Sequence, residues 1–175
     1  NHDGSLARAL ELTHAAKEAG ADAIKLQLFD PDLLLSAEAE LAKYQEASAD
    51  DPHALLRALQ LGVDDMLKVK VLAHELGLGF IVTPFSLENF DEMRRLDVDA
   101  VKIASPDCVN EPLLRKMKQL GKPLIVSTGA SDADELDRLH AWLAGHPSVL
   151  MHCISAYPTP EDRAGLCMIT VVGRG

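Results

Sequence analysis

Hydrophobic positions along the chain follow two periods in turn. In ADAIKLQLF, residues 21–29, every second residue is apolar: Ile24, Leu26 and Leu28 lie on one side, Lys25 and Gln27 on the other, which predicts a strand. Ahead of it, Leu6, Leu10, Leu12, Ala15 and Ala19 give an apolar stripe at helical spacing, started by Ser5 and closed by Gly20. The succession of helix, glycine and short strand then recurs. Helices are predicted over 64–76 (capped by Asp64 or Asp65), 87–96, 112–120 and 131–144 (capped by Ser131 or Asp132). Strands are predicted over 80–83, 100–104, 123–127 and 149–154.

Short apolar strands alternating with amphipathic helices predict a parallel α/β architecture, read here as a single partial domain over 1–175. The strands recur at roughly 20 to 25 residues, the period of a β/α-barrel unit. A doubly wound sheet is the competitor, and it usually carries a glycine-rich turn after its first strand. Gly77 and Gly79 precede a strand instead. Five strands are too few to close an eight-stranded barrel, so the expected class is an incomplete (β/α)8 barrel. One segment breaks the rhythm. Residues 30–62, with Pro31 and Pro52 near the ends and the helix-prone AEAELAKYQEA from Ala37 to Ala47 inside, read as an excursion that could act as a lid.

The 175 residues are 47% hydrophobic and carry a formal net charge of -10, which argues against nucleic acid or an anionic membrane surface as partner. An anionic ligand must therefore meet a local cluster of donors. Cys108, Cys153 and Cys167 have no C-x-x-C pairing, which fits a reduced, cytoplasmic protein without disulfides or structural zinc. No apolar run reaches the ~18 residues of a membrane span. The opening NHDGS is polar, so no signal peptide is expected.

In β/α barrels the C-terminal ends of strands carry the chemistry. Here those ends hold Lys25 and Gln27; Thr83; Lys102, Ser105 and Asp107; Ser127, Thr128 and Gly129; and His152, Ser155 and Tyr157. Lys102 lies in the middle of DAVKIASPD, a strand otherwise built for burial, where a cation is costly unless an anion meets it. Two lysines, several hydroxyls and a Ser-Thr-Gly turn before a helix suit a phosphate or carboxylate. The plainer readings are a lysine that extends its head to solvent and an ordinary turn. His152 and Cys153 are either satisfied core residues or a metal pair lacking further ligands. Tyr157-Pro158-Thr159-Pro160 is a stiff loop, or places a tyrosine over a ligand.

Six stretches in order, NHDGS, AGADAIKLQ, IVTPFS, VKIAS, GKPLIVSTG and LMHCISAYPTP, resemble the sialic acid synthase family: N-acetylneuraminate synthase and its legionaminate, pseudaminate and spore-coat relatives. The resemblance runs from Asn1 to about Met168. It implies a barrel that condenses phosphoenolpyruvate with an N-acetylated amino sugar, such as N-acetylmannosamine, and releases phosphate. It also implies a divalent metal, manganese or magnesium, and a homodimer in the complete protein. Residue by residue it assigns phosphoenolpyruvate binding to Lys25, Thr83, Lys102, Ser105, Ser127, Thr128 and Gly129. Catalytic roles fall to Lys25, Gln27, Lys102, Ser105, Asp107 and Tyr157, with Gln27, Asp107 and Tyr157 toward the sugar. Where the family carries glycine then glutamate, this chain has Pro106 and Asp107. The family's first strand and its last two strands, which hold the metal-binding histidines, fall outside the chain, so no metal ligand is expected within it. Two alternatives stand beside this reading: a Schiff-base aldolase using Lys102 or Lys25, and a non-catalytic phosphoenolpyruvate-binding remnant.

Overall fold

Ser5 begins the first helix because its hydroxyl accepts the Arg8 N–H, one of the otherwise unpaired first-turn donors. The computed structural model describes residues 1–34 and 51–169, which fall into two compact units, Asn1–Asp97 and Val98–Gly175. The described residues form an α/β fold with five strands, every pairing within each unit being parallel.

In the first unit, α1 (Leu6–Glu18) leads into β1 (Ala23–Leu28). The buried side of α1 is formed by Ala9 and Thr13, whereas Leu12 from the predicted stripe is 45% exposed. Small residues let α1 lie close to its neighbours, and the Thr13 hydroxyl is satisfied by the Ala9 carbonyl at 2.8 Å. Next come α2 (Pro31–Leu34) and α3 (Pro52–Leu59), the latter capped by Asp51; the helix-prone stretch 37–47 lies outside the described residues. Then α4 (Val63–Glu75) starts one residue earlier than predicted, on Gly62. Asp64 and Asp65 therefore sit in its first turn, favourable to the helix dipole, and neither is the cap. They pair with Arg95 and Lys68.

Strand β2 (Gly79–Pro84) pairs with β1 in the register Ala23↔Gly79 through Gln27↔Thr83 and on to Leu28↔Pro84. The helix predicted over 87–96 splits. A three-residue turn, Leu87–Asn89, precedes α5 (Phe90–Leu96), because Ser86 and Asn89 close a reciprocal cap between them. The core of this unit is Met66, Val69 and Ala73 on α4, Phe80 and Val82 on β2, and Met93 and Leu96 on α5.

In the second unit, β3 (Ala100–Ile103) pairs with β4 (Leu124–Ser127), and β4 with β5 (Ser148–Met151). Between them lie α6 (Glu111–Lys118), capped by Asn110, and α7 (Ala133–Leu143). Asp132 caps α7, not Ser131: it accepts from Glu135 N at 2.8 Å while the Glu135 carboxylate accepts from Asp132 N at 3.0 Å. Strand β5 ends at Met151, three residues short of the prediction, so His152, Cys153 and Ile154 belong to the following loop. The apolar filling is Val101, Ile103, Leu113, Leu114, Met117, Leu124, Val126 and Leu139. Among the described residues no helix is long and apolar enough to cross a membrane.

Candidate functional site

All four residues of β3 are buried, Lys102 among them at 8% exposure. Such an ammonium must find oxygen partners. Its Nζ donates to the Ile103 carbonyl at 2.6 Å and to Ser127 Oγ at 2.5 Å. The register explains the second bond: Lys102 lies opposite Ile125 and Ile103 opposite Val126, so Ser127 closes β4 just beyond the lysine. The loop after β5 adds a third group, for Cys153 Sγ donates to the same Ser127 Oγ at 3.4 Å.

Beside this pair stands a second cluster. Gly129 N donates to Ser105 Oγ at 3.2 Å. A Cβ built on Gly129 would lie 2.7 Å from Ser155 Oγ, 3.0 Å from Ser105 Oγ and 3.4 Å from the Cys153 carbonyl oxygen. The two serine hydroxyls thus flank one glycine that has no room for a side chain. The structure brings Lys102 to Ser127 and Ser105 to Gly129. Thr128 is buried too, but its hydroxyl donates to the Met151 carbonyl at 2.9 Å, and its amide reaches the same oxygen at 3.1 Å. That bond ties β4 to the end of β5 and engages the Thr128 hydroxyl proton within the protein. The Gly129 amide is likewise engaged by Ser105.

Asp107 is half-buried at the end of the turn Ser105–Asp107 and accepts from Asn110 Nδ2 at 3.2 Å. Burial holds its carboxyl above the ordinary range, and the Asn110 bond offsets part of that rise. The stability contributed by the neutral form is complete below the ordinary value of 3.8 and is lost as pH rises through the raised one. Asp107→Asn is therefore expected to gain melting temperature relative to the parent as pH rises from about 4. At neutral pH the variant should melt at or above the parent, as thermal unfolding across that range would record. Tyr157, by contrast, is 98% exposed, and the structure does not bring it into the cluster.

The first unit holds the remaining predicted residues. Lys25 and Gln27 are exposed on β1 and line a cavity of about 430 Å³ with Asn1, His2 and α1. Thr83, in register with Gln27, is 2% exposed, and its Oγ1 is a buried hydroxyl oxygen without a partner among the described residues. An unsatisfied buried hydroxyl at a strand end is what a ligand oxygen would complete.

Among the described residues, no group of three or more His, Cys, Asp or Glu side chains could hold a metal ion. His152 Nε2 instead meets the Ala164 carbonyl at 2.8 Å, which favours the structural reading of that histidine. The divalent metal implied by the resemblance thus has no fitting ligand set among these residues.

Cys153 and Ser155 join the site although the sequence does not assign both to it as anion-holding groups. Their one signal is position, in the loop that follows an apolar strand. What places them is contact across to β4, which no local pattern encodes.

The NeuB family matches residues 12–174 of the chain. The chain is 38% identical to the N,N'-diacetyllegionaminic acid synthase of Legionella pneumophila over 176 residues, covering 95% of this chain and 49% of that protein. It is 33% identical to a pseudaminic acid synthase of Campylobacter jejuni, covering 95% of this chain and 50% of that one. It spans about half the length of these curated relatives. Among solved structures it is similar to an N-acetylneuraminic acid synthetase of Leptospira borgpetersenii, crystallised with citrate. That likeness has a TM-score of 0.84 and 27% identity, and covers 100% of this chain and 59% of the other.

Proposed function

Because the chain belongs to the NeuB family, we propose that it forms part of a (β/α)8 barrel that condenses phosphoenolpyruvate with an N-acylated amino sugar, giving a nonulosonic acid and phosphate. The observation that carries the proposal is the buried Lys102 ammonium bound to Ser127, with Ser105 flanking Gly129 alongside. A cation and preset hydroxyls at strand ends suit an oxyanion such as a phosphate or carboxylate.

In this reading, Lys102 and Ser127 hold one anionic end of phosphoenolpyruvate, and Ser105 and Ser155 offer further hydroxyls. For Lys25, Gln27 and Thr83, in the first unit, the resemblance implies substrate binding, and the buried Thr83 hydroxyl supports it there. Carbon 3 of the enol attacks the open-chain sugar aldehyde, and positive charge develops at carbon 2. Water adds there, and the tetrahedral intermediate expels phosphate. Holding both reactants in line contributes up to about 7 to 11 kcal/mol in well-oriented cases. The ammonium and hydroxyl donors bind the anion throughout, and they strengthen on the phosphate as it departs. In the same reading Asp107 faces the sugar, where its carboxyl group can accept a hydrogen bond or a proton from a sugar hydroxyl. No step is assigned to a metal. The cytoplasmic setting and the homodimer implied by the resemblance belong to the same proposal.

The Schiff-base alternative needs an unprotonated Lys102 whose lone pair is open to a carbonyl carbon, and borohydride trapping with pyruvate tests it. The test is phosphate release from phosphoenolpyruvate by the full-length protein with a panel of N-acylated amino sugars and manganese. Sugar-dependent release is expected. No release with any sugar, or a pyruvate adduct trapped by borohydride, overturns the proposal.

A further inference from the structure

Both Lys102 and Cys153 reach the Ser127 side chain. A serine hydroxyl has one proton to donate and two lone pairs to accept with. Lys102 Nζ fills one lone pair at 2.5 Å, and the Cys153 thiol fills the other at 3.4 Å. Ser127 is 7% exposed, so water cannot freely reorganise around it. With both acceptor positions occupied, its proton is turned away from Lys102 and from Cys153. It remains available to an incoming acceptor.

We propose that Cys153 is a positioning residue that fixes Ser127 as a hydrogen-bond donor to the bound oxyanion. The inference rests on the reading that Lys102 and Ser127 hold phosphoenolpyruvate. A thiol suits this role because it is a weak donor that satisfies the Ser127 lone pair and competes poorly for the Ser127 proton. Without it, the hydroxyl has an unfilled lone pair and can rotate, so the donor orientation must be restored on binding. Cys153 itself need not touch the substrate.

The experiment is calorimetric titration of phosphoenolpyruvate into the full-length protein, its Cys153→Ala and Cys153→Ser variants, and both Ser127→Ala and the Ser127→Ala, Cys153→Ala double variant. Cys153→Ala is expected to raise Kd by roughly three- to tenfold, the range of one hydrogen bond, without lowering the melting temperature. Cys153→Ser keeps a donor and should stay within roughly twofold of the parent. In the Ser127→Ala background, removing the thiol should have almost no further effect, because the group it orients is gone. A general packing role would predict additive losses and no rescue by serine. Unchanged Kd in Cys153→Ala, additive losses in the double variant, or failure of Cys153→Ser to recover affinity each overturns the role of Cys153 alone. A parent protein that binds no phosphoenolpyruvate overturns the functional reading and this inference with it.

Discussion

Lys102→Met is expected to lower phosphoenolpyruvate affinity and sugar-dependent phosphate release by at least about 100-fold, since hydrogen bonds to charged groups contribute roughly 1.5–3 kcal/mol each and the anion loses its buried cation as well. The fold should survive. Methionine nearly matches the lysine stem in volume, and the site is only 8% exposed, so the thioether is buried in place of a charge that needed partners. Thermal unfolding should therefore show an equal or higher melting temperature, while calorimetry shows the loss of binding. This combination separates a ligand-holding lysine from a structural one. If Lys102 served chiefly to tie Ile103 and Ser127 together, the variant would melt lower and bind nearly as well as the parent. That result would remove the central element of the proposed function.

Much of the fold is legible in the sequence, because period and punctuation are local. Alternation in 21–29 places β1, and glycines at positive φ, such as Gly20 at +78° and Gly121 at +68°, mark where helices end. The departures have specific causes. Leucines define the predicted stripe on α1, but the tight approach belongs to Ala9 and Thr13, whose small size and self-satisfied hydroxyl hydrophobicity alone does not register. Gly62 caps α4 with no side chain, so the two aspartates that follow resemble the start. Strand β5 is short because pairing with β4 stops at Ser127↔Met151, a limit set by a partner strand and absent from residues 149–154 themselves.

The site divides along the same line. Lys102 stands out because a lysine in a buried strand is locally anomalous. Ser127 and Gly129 follow from their place at a strand end. The direction of each hydrogen bond does not, since it depends on what arrives from another element. Thr128 looks equivalent to Ser127 in Ser-Thr-Gly, yet the two hydroxyls serve different ends. That of Ser127 faces Lys102, and that of Thr128 closes onto the Met151 carbonyl. The contacts of Cys153 and Ser155 become visible only once the loop after β5 is folded back over β4.

Gly129→Ala isolates the second cluster. The φ of Gly129 lies outside the left-handed region, so alanine brings no backbone strain there, and the effect is one of space. The new methyl carbon would sit 2.7 Å from Ser155 Oγ and 3.0 Å from Ser105 Oγ, closer than side-chain carbons tolerate. Ser155 is exposed and can rotate clear. Ser105 cannot move as freely, because its Oγ accepts from the Gly129 amide at 3.2 Å, so relieving the contact there lengthens or breaks that bond. Both hydroxyls then leave the positions from which they would meet an anion. Phosphoenolpyruvate affinity is expected to fall about tenfold or more, while stability changes by about 1 kcal/mol, the order of one part-buried hydrogen bond. Adding Ser155→Gly clears the 2.7 Å contact but leaves the 3.0 Å one with Ser105, so the double variant is expected to bind as poorly as Gly129→Ala. Recovery of affinity in the double variant would place the effect on Ser155 instead of Ser105. Binding by Gly129→Ala equal to the parent would mean that neither hydroxyl meets the ligand, and the anion site would shrink to Lys102 and Ser127.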